Sequence, residues 1–173
     1  MRILRWGVRS LAIVVFVVFV VLVGVVGLVA GLTGRGLPQT AGTIRIDTLH
    51  APVTVIRDQT GIIQILADDP HDLFLAQGYV HAQERMWQME VWRHISAGRL
   101  SELFGEGRVG TDRFIRTLGW RQAAQRDLEA MPPDVRDALQ AYADGVNAWI
   151  ADHEGAFGPP FVVAGLLAGT GGA

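Results

Sequence analysis

The sequence holds no cysteine and no lysine, a single asparagine (Asn147) and only three serines (Ser10, Ser96 and Ser101) in 173 residues. Without cysteine there is neither a disulfide framework nor a thiolate metal site, an absence that fits either side of a membrane. All fifteen basic residues are arginine, which we read as the codon bias of a GC-rich genome rather than a demand for guanidinium chemistry. Charge is sparse as well. Charged residues make up 18% of the chain, the formal net charge is −2, and no basic stripe follows the first ten residues. That balance gives no reason to expect nucleic acid as a partner. No Gly-x-Ser-x-Gly elbow occurs, so a serine-based α/β-hydrolase has no support.

Apolar residues, by contrast, make up 50% of the chain, a share inflated by its N-terminus. Arg2, Arg5 and Arg9 precede an uncharged run over residues 11–32, which ends before Arg35. At about 1.5 Å per residue this run is long enough to cross a hydrocarbon core of roughly 30 Å. The arginines favour an N-terminus in the cytoplasm. A cleaved signal peptide is the rival reading, although its apolar core is usually about 7–15 residues. The best cleavage candidate, Val29-Ala30-Gly31, is poorly defined. An uncleaved, single-pass anchor in the cell membrane is therefore expected. A cleaved leader would make the remainder periplasmic or secreted, and both readings place it outside the cytoplasm.

Four regions follow from the patterning: 1–35, the anchor or signal with its flank; 36–51, a tether and edge strand; 52–155, a hairpin followed by helices; and 156–173, an apolar, glycine-rich loop. The edge strand is read from the alternation Ile44-Arg45-Ile46-Asp47. β-Branched runs over 53–57 and 62–66 flank Asp58-Gln59-Thr60-Gly61, a hairpin pattern with glycine where positive φ is needed. Asp58 is read as turn chemistry, accepting from nearby backbone N–H groups. Asp69 and Pro70 suit the N-cap and first position of a helix, with Asp72 near its positive end. Gly78 marks either a break after a short helix at 70–77 or close packing, and Gly98 suits a left-handed cap after Ala97. Residues 99–104 give a turn or two of helix, and a single helix is expected from Thr111 or Asp112 to Ala130. Pro132-Pro133 ends it and opens the last, whose apolar stripe is Val135, Leu139, Tyr142, Val146 and Trp149. Asp134, Arg136, Asp137, Gln140 and Asp144 fill its wet face. The fold class is α+β, mostly α: an N-terminal transmembrane helix, a β-hairpin and about four to five helices. The apolar residues 161–168 are too few to span a bilayer as a helix, and the chain is expected to be interrupted there in a loop.

Gly78-Tyr79-Val80-His81-Ala82-Gln83-Glu84-Arg85-Met86-Trp87-Gln88-Met89-Glu90, followed by Gly98-Arg99-Leu100-Ser101-Glu102, organises the rest. At about a hundred degrees per residue its apolar members do not keep to one stripe. Tyr79, Met86, Trp87, Met89, Val91, Trp92 and Ile95 are interleaved with Glu84, Arg85, Glu90 and Arg93. A helix with no clean wet or dry face is covered on most sides, with its charges in pairs. That demands more polypeptide than this chain supplies.

Candidate chemistry is thin. His71, His81 and His94 lie on or near this segment, and His81 stands i, i+3 from Glu84, but a zinc site wants closer His-Glu-x-x-His spacing and a third ligand. His81 and His94 are thirteen residues apart, too far for one ion on a straight helix. These histidines are read as packed or surface residues, and no metal ligand is assigned. Ser96 and Ser101 sit at a helix end, where hydroxyls commonly cap, and Ser10 lies at the membrane edge. Thr43, Thr111 and Thr170 each follow a glycine, but nothing near them supports a nucleophile freed by cleavage. Glu84 and Glu90 have the residue types of an acid–base couple, yet Arg85 and Arg93 make them structural ion pairs instead. No catalytic, cofactor-binding or metal residue is assigned.

The motif residues quoted above resemble the signature near the start of the penicillin acylase family, over roughly residues 52–150. That family often carries Asp where this chain has Glu84, which keeps the charge. The resemblance implies an N-terminal-nucleophile hydrolase with an αββα sandwich, in which a precursor cuts itself and frees an N-terminal serine. That serine attacks the amide carbonyl of an acylated amine, such as a β-lactam antibiotic or an acyl-homoserine lactone, with its own α-amine as base. An oxyanion hole built partly from an asparagine side chain stabilises the intermediate, and calcium is implied for the full-length protein. Only the opening of the α-chain is matched here, so the implied nucleophile, asparagine and calcium positions fall beyond Ala173, and Asn147 matches none of them. Tyr79, Arg85, Trp87 and Glu90 take structural roles, anchoring the α-chain against the β-chain. The implied partners are the membrane through residues 11–32, the remainder of the α- and β-chains, and an acylated-amine substrate. A non-catalytic, membrane-tethered remnant or interaction module is the alternative.

Overall fold

The computed structural model describes residues 2–34, 37–153 and 157–170. The apolar N-terminal run is helical as expected: α1 spans Arg2–Gly34 and leaves residues 13–31 exposed. Its stretch Ile13–Gly31 is long and apolar enough to cross a membrane, and a leader sequence satisfies the same criterion. The boundaries expected at 35/36 and 155/156 lie outside the described residues.

The alternation at 44–47 does not produce a strand. Among the described residues no strand pairs with it, so the segment stays irregular. Ile44 and Ile46 turn inward against Tyr79 and Trp149, while Arg45 and Asp47 pair in solvent at 3.1 Å. The hairpin forms as read. β1 (Thr54–Arg57) and β2 (Ile63–Leu66) are antiparallel, with Thr54 opposite Leu66 and Arg57 opposite Ile63. Asp58 Oδ1 accepts from Thr60 N, Thr60 Oγ1 and Ile62 N at 2.7–2.8 Å, and Gly61 takes φ 84°. These bonds, led by the one from the Thr60 hydroxyl, hold the Asp58 carboxyl below its ordinary pKa.

The signature helix α2 runs Pro70–Ala97. Asp69 Oδ1 accepts the Asp72 N–H at 2.9 Å as N-cap, and Gly98 closes the other end at φ 63°, ψ 46°. Helix geometry continues through Gly78, so no short separate helix at 70–77 exists. The interruption falls instead at Arg85 (φ −137°, ψ 19°). After a short α3 (Ser101–Phe104) and a 3₁₀ turn, the expected single helix to Ala130 divides in two: α4 (Val109–Leu118) and α5 (Trp120–Ala130). Gly119 causes the division by adopting φ 71°, where a side chain is strained and a helix ends. α6 covers Pro133–His153. Residues 159–170 of the C-terminal segment form a helix where a loop was expected. Pro159 and Pro160 set φ for a first turn, and the apolar run continues as α7 (Pro159–Thr170).

The main seam joins α2 to α6, and it is built on absence of side chain. A Cβ on Gly78 would stand 2.0 Å from Tyr142 O, and one on Gly145 would stand 1.9 Å from Leu75 O. Backbone therefore meets backbone, flanked by buried Leu75, Ala82, Ala141 and Trp149. This corrects the expected apolar stripe of the last helix. Trp149 is buried, but Val135 and Leu139 are 42% and 45% exposed, and the small residues Ala141 and Gly145 make the contact. Trp87 gathers Phe104 and Phe161 edge-on, which ties α7 to α2 and α3.

Candidate functional site

Three polar arrangements surround α2. At its N-terminus the buried Asp72 carboxylate accepts from the backbone N–H groups of His50 (3.0 and 3.1 Å) and Ala51 (2.8 Å), with His71 Nδ1 at 3.0 Å. Burial pushes the Asp72 pKa up, but these donors outweigh it and hold it below the ordinary value. Asp69 Oδ2 lies 3.2 Å from His50 Nδ1, and the two imidazoles stack with centroids 4.2 Å apart. The lead-in chain is thus fastened to the first turn of α2.

Charge pairs line the middle of α2. Glu84 pairs with Arg57 of the hairpin rather than with Arg85. Arg85 has no ion-pair partner among the described residues and is where the helix bends. Glu90 takes Arg93 in a two-pronged bond at 2.7 and 2.8 Å, which lowers its pKa. His94 is buried, with Nδ1 2.9 Å from Glu90 O and Nε2 3.8 Å from Glu102. Tyr79 donates to Asp152 at 3.0 Å; burial first, and then this carboxylate, raise its phenol pKa.

At the far end Asp112, also buried, accepts from Leu100 N (2.7 Å), Ser101 N (2.8 Å) and Ser101 Oγ (2.5 Å). Burial raises its pKa, yet the Ser101 hydroxyl and the backbone donors win and the net shift is downward. Ser101 is therefore pinned by a weakly basic carboxylate, the wrong partner for activating a nucleophile. Ser96 bonds Arg93 O, while Thr43, Thr111 and Asn147 are exposed. The side chains of Ser10 and Thr170 lie outside the described part.

A cavity of about 300 Å³ opens between the lead-in chain, β1 and α2. Its long polar groups are committed: Gln83 donates to Gln39 O at 2.8 Å, Gln39 Nε2 donates to Ala41 O at 3.0 Å, and Arg57 is held by Glu84. The Ser101 and Thr60 hydroxyls, which meet the Asp112 and Asp58 carboxylates, do so in bonds that pin turns. Sequence reasoning missed two organising carboxylates, Asp72 as an acceptor for residues 50 and 51 and Asp112 as an acceptor for residues 100 and 101. No local pattern marks either, because their partners are 11–22 residues away.

This mostly helical arrangement with one antiparallel hairpin has a counterpart among solved structures. A thermostable penicillin G acylase from Alcaligenes faecalis superposes with a TM-score of 0.57 at 26% identity, over 69% of this chain and 71% of that one. The sequence profile of the Penicillin amidase family matches residues 52–168, and the chain belongs to that family. It is 42% identical over 115 residues to penicillin acylase 2 proenzyme of Pseudomonas sp. (strain SE83), covering 66% of this chain and 15% of that protein. It is 40% identical over 98 residues to penicillin G acylase of Escherichia coli, covering 57% and 12%. Acyl-homoserine lactone acylase QuiP of Pseudomonas aeruginosa is 39% identical over 114 residues, covering 66% and 14%. The chain thus spans 12–15% of the length of these curated relatives.

Proposed function

We propose that this chain is the opening part of a membrane-anchored amide hydrolase that cleaves linear amides of acylated amines, penicillins or acyl-homoserine lactones among them. One observation carries the reading. The signature helix keeps its caps, its ion pairs and its close seam with α6, yet Trp92 is 67% exposed, and Phe114 on α4 is 61% exposed. Large apolar side chains left open beside a well-formed seam fit a surface that further polypeptide covers. In this reading the N-terminal serine, its α-amine base, the oxyanion donors, any calcium and the αββα core all belong to that further polypeptide. The present residues position it. α1 holds the assembly at the membrane with the hydrolase outside the cytoplasm.

The experiment is complementation. The 173-residue chain is expressed with the Pseudomonas sp. proenzyme deleted of its matched segment, and hydrolysis of penicillin G and of an acyl-homoserine lactone is measured in membrane and soluble fractions. The chain alone is expected to be inactive and the pair active in the membrane fraction. Hydrolysis by the chain alone would sink the reading. Failure of the two pieces to associate would favour the non-catalytic module, and activity confined to the soluble fraction would make α1 a removed leader.

A further inference from the structure

We propose that His50, Asp69, His71 and Asp72 form a zinc site that clamps the lead-in chain to the first turn of the signature helix. One ligand atom from each lies within 4.8 Å of every other. His50 Nδ1 is 3.2 Å from Asp69 Oδ2 and 3.8 Å from Asp72 Oδ1, and His71 Nδ1 is 3.0 Å from Asp72 Oδ1. A tetrahedral zinc with bonds of about 2.0–2.1 Å places neighbouring ligand atoms about 3.3 Å apart, which these separations bracket. Imidazole nitrogen with carboxylate oxygen is a donor set that zinc accepts, and one that the oxygen-seeking cations calcium and magnesium do not favour.

The surroundings suit a closed, structural site. Asp72 is fixed beneath by two backbone donors, and Asp69 by the Asp72 N–H, so both carboxylates are held in place by bonds outside the metal's own shell. The stacked rings both direct Nδ1 toward these carboxylates. Asp72 is 1% exposed and His50 63% exposed, giving a rigid floor and an adjustable outer ligand through which an ion enters without unfolding. Four protein ligands complete a tetrahedron, leaving no open position for a reacting water. Helical spacing alone does not reveal this set, because His50 comes from outside the helix, 21 residues before His71.

The test is zinc binding to the full chain in detergent micelles, by equilibrium dialysis at neutral pH with metal analysis, together with the cobalt(II) absorption spectrum. One zinc per chain is expected, undisturbed by excess calcium or magnesium, with the intense visible bands of four-coordinate cobalt. His50→Ala and Asp69→Asn should each weaken binding by at least tenfold, the latter while keeping an N-cap, whereas His81→Ala should not. Zinc at roughly a hundred times its Kd should raise Tm by about 5 °C in the wild type and not in His50→Ala. His50→Ala retains the backbone donor to Asp72 and loses only the exposed ring's stack and its Asp69 contact, so its metal-free Tm should fall slightly and a cooperative transition should report that it folds. No zinc uptake, uptake undiminished in His50→Ala, or a weak octahedral cobalt spectrum would overturn the proposal.

Discussion

Asp112 sits in the first turn of α4, yet both its oxygens serve another element, the turn that opens α3. Removing it leaves the Leu100 and Ser101 N–H groups in a half-buried place without an acceptor. Asp112→Asn keeps the shape but exchanges a charged acceptor for one neutral oxygen and an amide that repels the donors. We expect it to lower the unfolding free energy by about 2–3 kcal/mol, measured by urea denaturation in micelles. Its pH dependence has a definite sign. The Asp112 pKa is lowered in the folded chain, so its contribution is complete above the unfolded value of about 3.9 and disappears as pH falls through the folded value. The gap between wild type and variant should be full at neutral pH and narrow in acid below about pH 4. A gap unchanged down to pH 3 would mean that Asp112 matters for its shape and not its charge.

Among elements, the α2–α6 crossing makes the sharpest demand on sequence. Gly145→Ala would drive a methyl into Leu75 O and to 2.9 Å from Tyr79 N, and backbone cannot swing aside as a side chain does. The cost should reach or exceed the upper end of the usual overpacking range of about 1–3 kcal/mol. Gly110→Ala in α4 meets nothing within 4 Å, so it should be stabilising by up to about 1 kcal/mol. Equal Tm shifts in the two variants would remove the steric account of the seam. The same seam shows why sequence patterning succeeded in some places and failed in others. Asp69, Gly98 and the Asp58 turn were legible because each is satisfied within four residues. Periodicity found α6 and its inward Val146 and Trp149 but misplaced Val135 and Leu139, because it weighs large apolar residues and the closest contact is made by Ala141 and Gly145. The α4–α5 division was hidden because Gly119 falls inside a continuing helical pattern, and α7 because an apolar, glycine-containing run offers no polar period to read. The metal-like cluster and both buried carboxylates depend on partners distant in the chain, which no local window contains.

The molecule as a whole presents 12901 Å² to solvent, against about 8,300 Å² for a compact monomer of 18.8 kDa. Projecting α1 accounts for part of the excess, and the open faces of the helices beyond α3 for more. α5 has no buried residue, and its Trp120 and Leu128 are 49% and 43% exposed. Stability should then be distributed unevenly. Amides that are rarely released need a buried seam around them, and here that seam is residues 72–83 of α2 with 141–149 of α6. Hydrogen exchange followed by mass spectrometry should find those segments opening only with the whole fold, and α5 exchanging roughly a hundredfold faster or more. Addition of the deleted proenzyme should slow α5 while leaving the seam unchanged, since only the former gains a cover. Uniform protection in the chain alone would mean that these helices are already as stable as their core, and the open apolar faces would no longer argue for an absent partner.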